Sequence, residues 1–385
     1  MKSHLMHVCL LAAVAVLLAS TWGCARFGFE PSCTDCDDGI ACTRDVCSSG
    51  LCQHVPDSSL CPDGELCLGS DQTASCKAVG NLPGSVADAY FGVPLESLDL
   101  SGASSLVYLD GDSGEIWDDG GRVFRGPGTG DVGGIGFDLV GQRDAPSNQV
   151  AVFSFASLIV PEGVTVVGIG SNPLVLFGRD WVEIHGTVDV GARREDDAAV
   201  YDGDCLSGPG GFAGGQAGEI GLGECGGGAD GGDSCGLACT AGGGGGGHSG
   251  LGGSGGDGSD PEGGCPTVYT GGAGGGECGR ESIQPLVGGS GGGSGGIAVG
   301  VPSEPGLGGA GGGAIQIISL SGVLLGSTGI VTAPGGGGGG GANDAGGGGG
   351  GGAGGAILIE AAMVILDASS VLAANGGGGG SGDCT

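Results

Sequence analysis

One short stretch carries the arrangement best suited to chemistry. In RDWVEIHGTVDV, residues 179–190, Arg179, Asp180, Glu183, His185 and Asp189 form a polar set, and Glu183, His185 and Asp189 fall on the outward side of an alternating pattern. Val182, Ile184, Val188 and Val190 fall on the other side. On a strand, residues two apart share a face and stand roughly 7 Å from each other. Glu183 and His185 meet that condition, with Asp189 as a second carboxylate. A carboxylate beside an imidazole suits general acid–base work. It also describes any solvated strand face. No other part of the chain repeats the set, since Gln316, Glu360 and Asp367 are isolated. Glu183, His185 and Asp189 are therefore the candidate catalytic residues of an alternative reading, and the main expectation is a protein without catalysis.

Other chemical patterns dissolve on inspection. GGSGG occurs at Gly252 and Gly288 and formally matches a nucleophile elbow, but no strand precedes it and no helix follows. There is no Gly-Lys dipeptide and hence no phosphate-binding P-loop. GGSGGDGSD from Gly252 resembles a calcium-binding nonapeptide, but it is a lone copy with Ser259 where a large apolar residue belongs. Asp35, Asp37 and Asp38 are weak calcium candidates that lack the offsets of an EF-hand loop. Cys33 and Cys36 form a single C-x-x-C, whereas a zinc ribbon needs two. No cofactor is expected beyond a structural calcium ion.

The elements that must hold these residues come from an unusual composition. Of 385 residues 101 are glycine, far above the usual share of about 7%. Yet 39% are hydrophobic and the mean hydropathy is +0.24, which disordered chains rarely reach. Aliphatic pulses that can build a core alternate with glycine tracts that have no side chain to bury. With aromatics at only 4%, that core is made of Val, Ile and Leu, which favours strands. The formal charge of -32, with Lys2 and Lys77 the only lysines, argues against nucleic acid as a partner.

The N-terminus, MKSHLMHVCLLAAVAVLLASTWGC, has a basic start, an apolar run and small residues, the layout of a secretory signal. Thr21-Trp22-Gly23-Cys24 resembles a bacterial lipobox at Gly23 and Cys24, though not at Thr21 and Trp22. The resemblance implies acylation of Cys24 and the lipid bilayer as a partner. Ordinary cleavage nearby would instead leave Cys24 as a disulfide partner and the protein secreted. The expected localisation is export and anchoring at the outer membrane, on its periplasmic or surface face.

In an exported chain, dense cysteines read as a disulfide framework. Cys33, Cys36, Cys42, Cys47, Cys52, Cys61, Cys67 and Cys76 form one even set. Cys205, Cys225, Cys235, Cys239, Cys265 and Cys278 form another, and Cys384 stands alone. Spacing does not determine the pairing. CTDCDDGIACTRDVCSSGLCQH, from Cys33 to His54, resembles the cysteine-rich repeat of slime-mould extracellular-matrix proteins. The matching residues are Cys36-Asp37-Asp38-Gly39, Cys42-Thr43, Asp45, Cys47, Gly50, Cys52 and His54. The repeat occurs once, over residues 33–54 of the 385.

Self-similarity appears in the second half. Units starting at Pro173, Ala314 and Ala356 each hold three apolar pulses. The pulses begin at Leu174, Val182 and Val188, then Ile315, Val323 and Ile330, then Ile357, Val364 and Val371. Such pulses are strand-length, and three strands with turns have the size of one coil of a parallel β-solenoid. The fold expected is all-β: a parallel β-solenoid or β-helix-like domain with long glycine-rich excursions, behind a small disulfide-rich module. The divisions expected are a signal (1–23), a linker after the lipidation site (24–32), the module (33–76) and a second linker (77–90). A β-rich region with the first coils (91–191), a Gly/Cys-rich insertion (192–313) and further coils with glycine-rich loops (314–385) complete the chain.

Over most of its length the chain resembles glycine-rich predicted lipoproteins of myxobacterial type. That resemblance implies a cell-surface protein with a structural or adhesive role, contacting extracellular polysaccharide or matrix protein. The alternative is a polysaccharide lyase or hydrolase, which parallel β-helices commonly host, using the Glu183–His185 face.

Overall fold

The computed structural model describes residues 36–48, 51–57, 60–62, 65–68, 74–78, 80–82, 95–194, 205–224, 226–235, 239–259, 268–280, 282–300, 302–343 and 345–382. The secondary structure is strand throughout, with no α-helix among the described residues. Cys24, Cys33, Asp35 and Cys384 lie outside them. Two compact units are present. The smaller holds residues 36–38 and 44–55, with the Cys36–Cys52 disulfide. The larger holds residues 39–43 and everything from 56 onward, with the Cys42–Cys67 and Cys61–Cys76 disulfides.

Three sheets build the centre of the larger unit. The first runs, in spatial order, Ala356–Ala361, Ala314–Ser319, Leu174–Gly178, Gln149–Phe155, Ile135–Gly141 and Gly130–Val132. The second runs Val364–Leu366, Val323–Leu325, Val182–Ile184, Leu158–Val160 and Leu98–Asp99. The third runs Val371–Ala373, Ile330–Thr332, Thr187–Asp189, Thr165–Ile169, Leu106–Asp110, Ile116–Asp118 and Val123–Arg125. Between the repeated units the pairing is parallel. Leu174 faces Ile315, which faces Ile357; Val182 faces Val323, which faces Val364. In the third pulse the register slips by one, so that Val188 faces Val331, which faces Leu372.

The expected single parallel β-solenoid is not what the chain builds. The first and third sheets are mixed, and the sheets do not close as a solenoid. Antiparallel pairs join Gly130–Val132 to Ile135–Gly141 and on to Gln149–Phe155. Others join Leu106–Asp110 to Ile116–Asp118 and on to Val123–Arg125. The cause is local turn chemistry. DGDSG at Asp110 and DDGG at Asp118 reverse the chain within a few residues, using positive φ at Gly114 (76°) and Gly121 (85°). Positive φ at such turns is nearly cost-free only for glycine.

The inward faces meet in one apolar core that includes Phe137, Phe153, Leu176, Ile184, Val188, Ile317, Leu325 and Val331. Leu174–Gly178 is buried along its whole length because its outer face is covered as well. Leu82 and Leu286 pack there on Val152, Phe177 and Ile318. A strap at residues 80–82 is tied down by hydrogen bonds. Asn81 Nδ2 donates to the Ile283 carbonyl (3.1 Å), Arg143 Nη2 to the Leu82 carbonyl (2.9 Å), and the Gly80 amide to Glu360 (3.1 Å).

Burial under the strap raises the Glu360 pKa above its ordinary 4.5, against the opposing pull of the Gly80 amide and Gln316. A carboxyl with a raised folded pKa holds its proton more tightly folded than unfolded. Its contribution is complete below 4.5 and is lost as pH rises through the folded value. Glu360→Gln should therefore gain melting temperature relative to the parent chain as pH rises from 4.5 toward neutrality. Parallel melting curves across that window check this, and a pH-independent difference would contradict it.

The glycine tracts are ordered. In residues 288–296 every amide donates, in three interleaved series. Gly288, Gly291 and Ser294 donate to Gly210, Leu222 and Glu219. Gly289, Gly292 and Gly295 donate to Gly312, Gly309 and Gly306, while Ser290, Gly293 and Gly296 donate to Gly247, Gly244 and Ala241. A partner repeated every third residue is the signature of an extended helix with three residues per turn. The tract is bonded to several neighbours at once, and it runs antiparallel to the two glycine tracts at 306–312 and 241–247. Residues 347–355 continue the lattice in two more series of three, to Gly296, Gly293 and Ser290 and to Gly339, Gly336 and Ala333. Each extended backbone would leave its polar groups unmet alone; bundled, the tracts meet them through one another.

Candidate functional site

Each of the three sheets ends on the strands of the last unit. In the preceding unit the inward side chains Ile315, Ile317, Val323, Leu325 and Val331 are fully buried. Their successors Val364, Leu366 and Leu372 are 44%, 50% and 44% exposed, because no further strand is layered beyond them among the described residues. With Ile357 and Ile359 they floor a cavity of about 590 Å³. Its wall is formed by residues 278–280, 283–285 and 287, with Ile283 and Pro285 facing the cavity. This volume and apolar lining fall in the usual range of small-molecule sites.

The polar side chains of the lining are Glu224, His248, Ser249, Arg280 and Gln284. His248 Nε2 lies 3.2 Å from the Val287 carbonyl. A carbonyl only accepts, so Nε2 carries the proton and the neutral ring leaves Nδ1 as an acceptor. Burial pulls the His248 pKa below its ordinary value, with the Val287 carbonyl and Glu224 pulling the other way. An acceptor nitrogen, a hydroxyl, a carboxylate and a guanidinium beside an aliphatic floor suit a molecule with an apolar body and a hydroxyl-bearing head. No known protein family, curated protein or solved structure matches the chain.

The candidates named from sequence fall elsewhere. Glu183 and His185 do meet, His185 Nε2 to Glu183 Oε2 at 3.5 Å, both more than a third exposed. Their strand face is otherwise aliphatic: Glu183 lies in register between Ile159 and Leu324. Asp189 does not join them. It belongs to the third sheet, between Val167 and Thr332, and accepts the Gly191 amide at 2.8 Å. The pair lies on an open strand and does not line the cavity.

The cysteine framework is realised in part. Besides the three bridges already given, Cys47 takes part in a disulfide, and separately so does Cys278. Cys239, counted in the framework, carries a free thiol. An even number permits complete pairing, but only geometry decides which sulfurs meet. Cys225 and Cys265 lie outside the described residues, and Cys205 and Cys235 sit in two-residue strands, Cys205–Leu206 and Ser234–Cys235. Of the acidic candidates in the smaller unit, Asp38 is drawn toward His54 and Asp45, a grouping the calcium reading missed. The signal was present in the cysteine-rich repeat, where Asp45 and His54 are both matching positions.

Proposed function

We propose that this chain is an exported surface protein, lipid-anchored through Cys24, whose role is adhesive: it holds a ligand and does not transform it. The ligand class is an amphiphile of the extracellular matrix or a neighbouring envelope, an acyl or alkyl chain carrying a hydroxylated head such as a glycan. One observation carries the reading, the aliphatic floor of Ile357, Ile359, Val364, Leu366 and Leu372, continuous with the core yet open to a cavity with polar side chains in its lining. The export signal and the disulfides fit an oxidising, extracytoplasmic setting. The hydrogen-bonded glycine bundle supplies a stiff body for display.

Fluorescence displacement with dodecyl maltoside below its micellar concentration tests this. Saturable binding is expected, at least tenfold tighter than for maltose, and weakened at least tenfold in Leu366→Asp. Equal affinity for maltose, indifference to Leu366→Asp, or release of cleaved product would overturn it. Loss of cleavage in Glu183→Ala and His185→Ala would then point to the enzyme reading.

A further inference from the structure

We propose that the smaller unit contains a binding site for a divalent transition-metal ion, formed by Asp38, Asp45 and His54. Their ligand atoms all lie within 4.8 Å of one another. His54 Nδ1 is 2.7 Å from Asp45 Oδ1 and 3.5 Å from Asp38 Oδ2. Ligands held about 2.0–2.2 Å from one ion stand roughly 3 to 3.5 Å apart, so little movement is needed to admit it.

The backbone fixes this placement. The Cys36–Cys52 disulfide, with its Cα atoms 5.4 Å apart, joins the two segments that carry Asp38 and His54. Each ligand lies two residues beyond its cysteine, and in extended chain such residues share a side. Asp45 comes from Thr43–Ser48, which pairs with the Leu51–Pro56 strand that carries His54. The three side chains are 11%, 24% and 25% exposed, sheltered yet open to an ion and its waters. One imidazole and two carboxylates suit zinc or manganese, whereas calcium takes about six to eight oxygens. With the ion bound, the imidazole proton resides on Nε2 and the Nδ1 lone pair faces the metal.

The same atoms form an ordinary histidine–aspartate hydrogen bond, and the experiment separates the two. Zinc chloride is titrated calorimetrically into the full oxidised chain, and the histidine ring resonances are followed by NMR. One equivalent should bind, with the His54 resonances moving and those of His185 and His248 still. Asp45→Asn and His54→Ala should each weaken zinc at least tenfold, and His185→Ala should not. Peptide mapping of the Cys36–Cys52 bridge confirms that each variant is folded; the resonance shifts in the parent chain decide the matter if one is not. Failure of zinc to bind, unmoved His54 resonances, unchanged affinity in both folded variants, or calcium binding as tightly as zinc would overturn the site.

Discussion

Gly350→Ala should unfold the glycine bundle, while Gly253→Ala should leave it intact. A methyl carbon at Gly350 would lie 2.0 Å from the Gly244 carbonyl oxygen and 2.4 Å from its carbon. Both are backbone atoms, so no side chain can swing aside. The Gly244 carbonyl already accepts the Gly293 amide at 2.8 Å, and Gly350 donates to Gly293 and accepts from Gly309 at the same distance. Relief requires the tracts to separate, which breaks several of these bonds together. Overpacking alone costs about 1–3 kcal/mol and each orphaned buried group about as much again, so a loss of about 4 kcal/mol or more is expected. At Gly253 nothing lies within 4 Å of the added carbon. There, alanine mainly restricts the unfolded chain, with an expected gain of about 0.4–1 kcal/mol. Denaturant unfolding of the two variants side by side is the check, and equal stabilities would refute close backbone packing as the origin of the glycine requirement.

That contrast also explains why the bundle was hard to read from sequence. A collagen-like arrangement packs one residue in three against an axis and so leaves a period of three. Here a tract such as 288–296 is bonded to neighbours in three directions, so its glycines are crowded at every position of the three-residue turn, Ser290 and Ser294 being the exceptions, and no period of three survives. The apolar pulses were more legible. Their spacing matched the parallel register of the repeated units at two of three positions, and the slip at Val188 reflects a turn after Ile184 (residues 185–186) that is two residues shorter than its counterpart after Leu325 (residues 326–329), although the pulse starts differ by only one. The mixed sheets were missed although their signals, DGDSG and DDGG, stand in plain view. The cavity had no local signature, since His248, Arg280 and Leu366 are brought together only by the tertiary fold. Glu183 and His185 were a strand-local inference and do meet; Asp189 required knowing where one sheet ends and the next begins.

Arg125→Met should be the most damaging single change among the hairpins at the opposite end of the core. Arg125 is 1% exposed, and all five of its guanidinium donors are used. Nε donates to the Ile135 carbonyl (3.1 Å), Nη1 to Gly114 (2.7 Å) and Gly126 (2.8 Å), and Nη2 to Gly128 (2.7 Å) and Gly130 (2.8 Å). The guanidinium also sits 5.3 Å from the Phe137 ring centroid. Burial lowers the Arg125 pKa, with Asp138 and Asp131 opposing, yet an arginine stays charged. One side chain thus gathers the carbonyls of two reversals whose glycines have no side chains of their own, and Ile116, Ile135 and Phe137 are buried beneath it. The end formed by the last unit has no such closure, and its aliphatic layer lies open. Methionine fills much of the same volume but leaves five carbonyls unmet, so a loss of about 3–5 kcal/mol is expected. Lysine has three donors and no planar fork, and should fall between the two. Hydrogen exchange locates the effect: amides of residues 114–135 should lose protection first, while those of 347–355 keep theirs. A lysine variant as stable as the parent chain would show that charge alone, and not the five-way fork, holds this end shut.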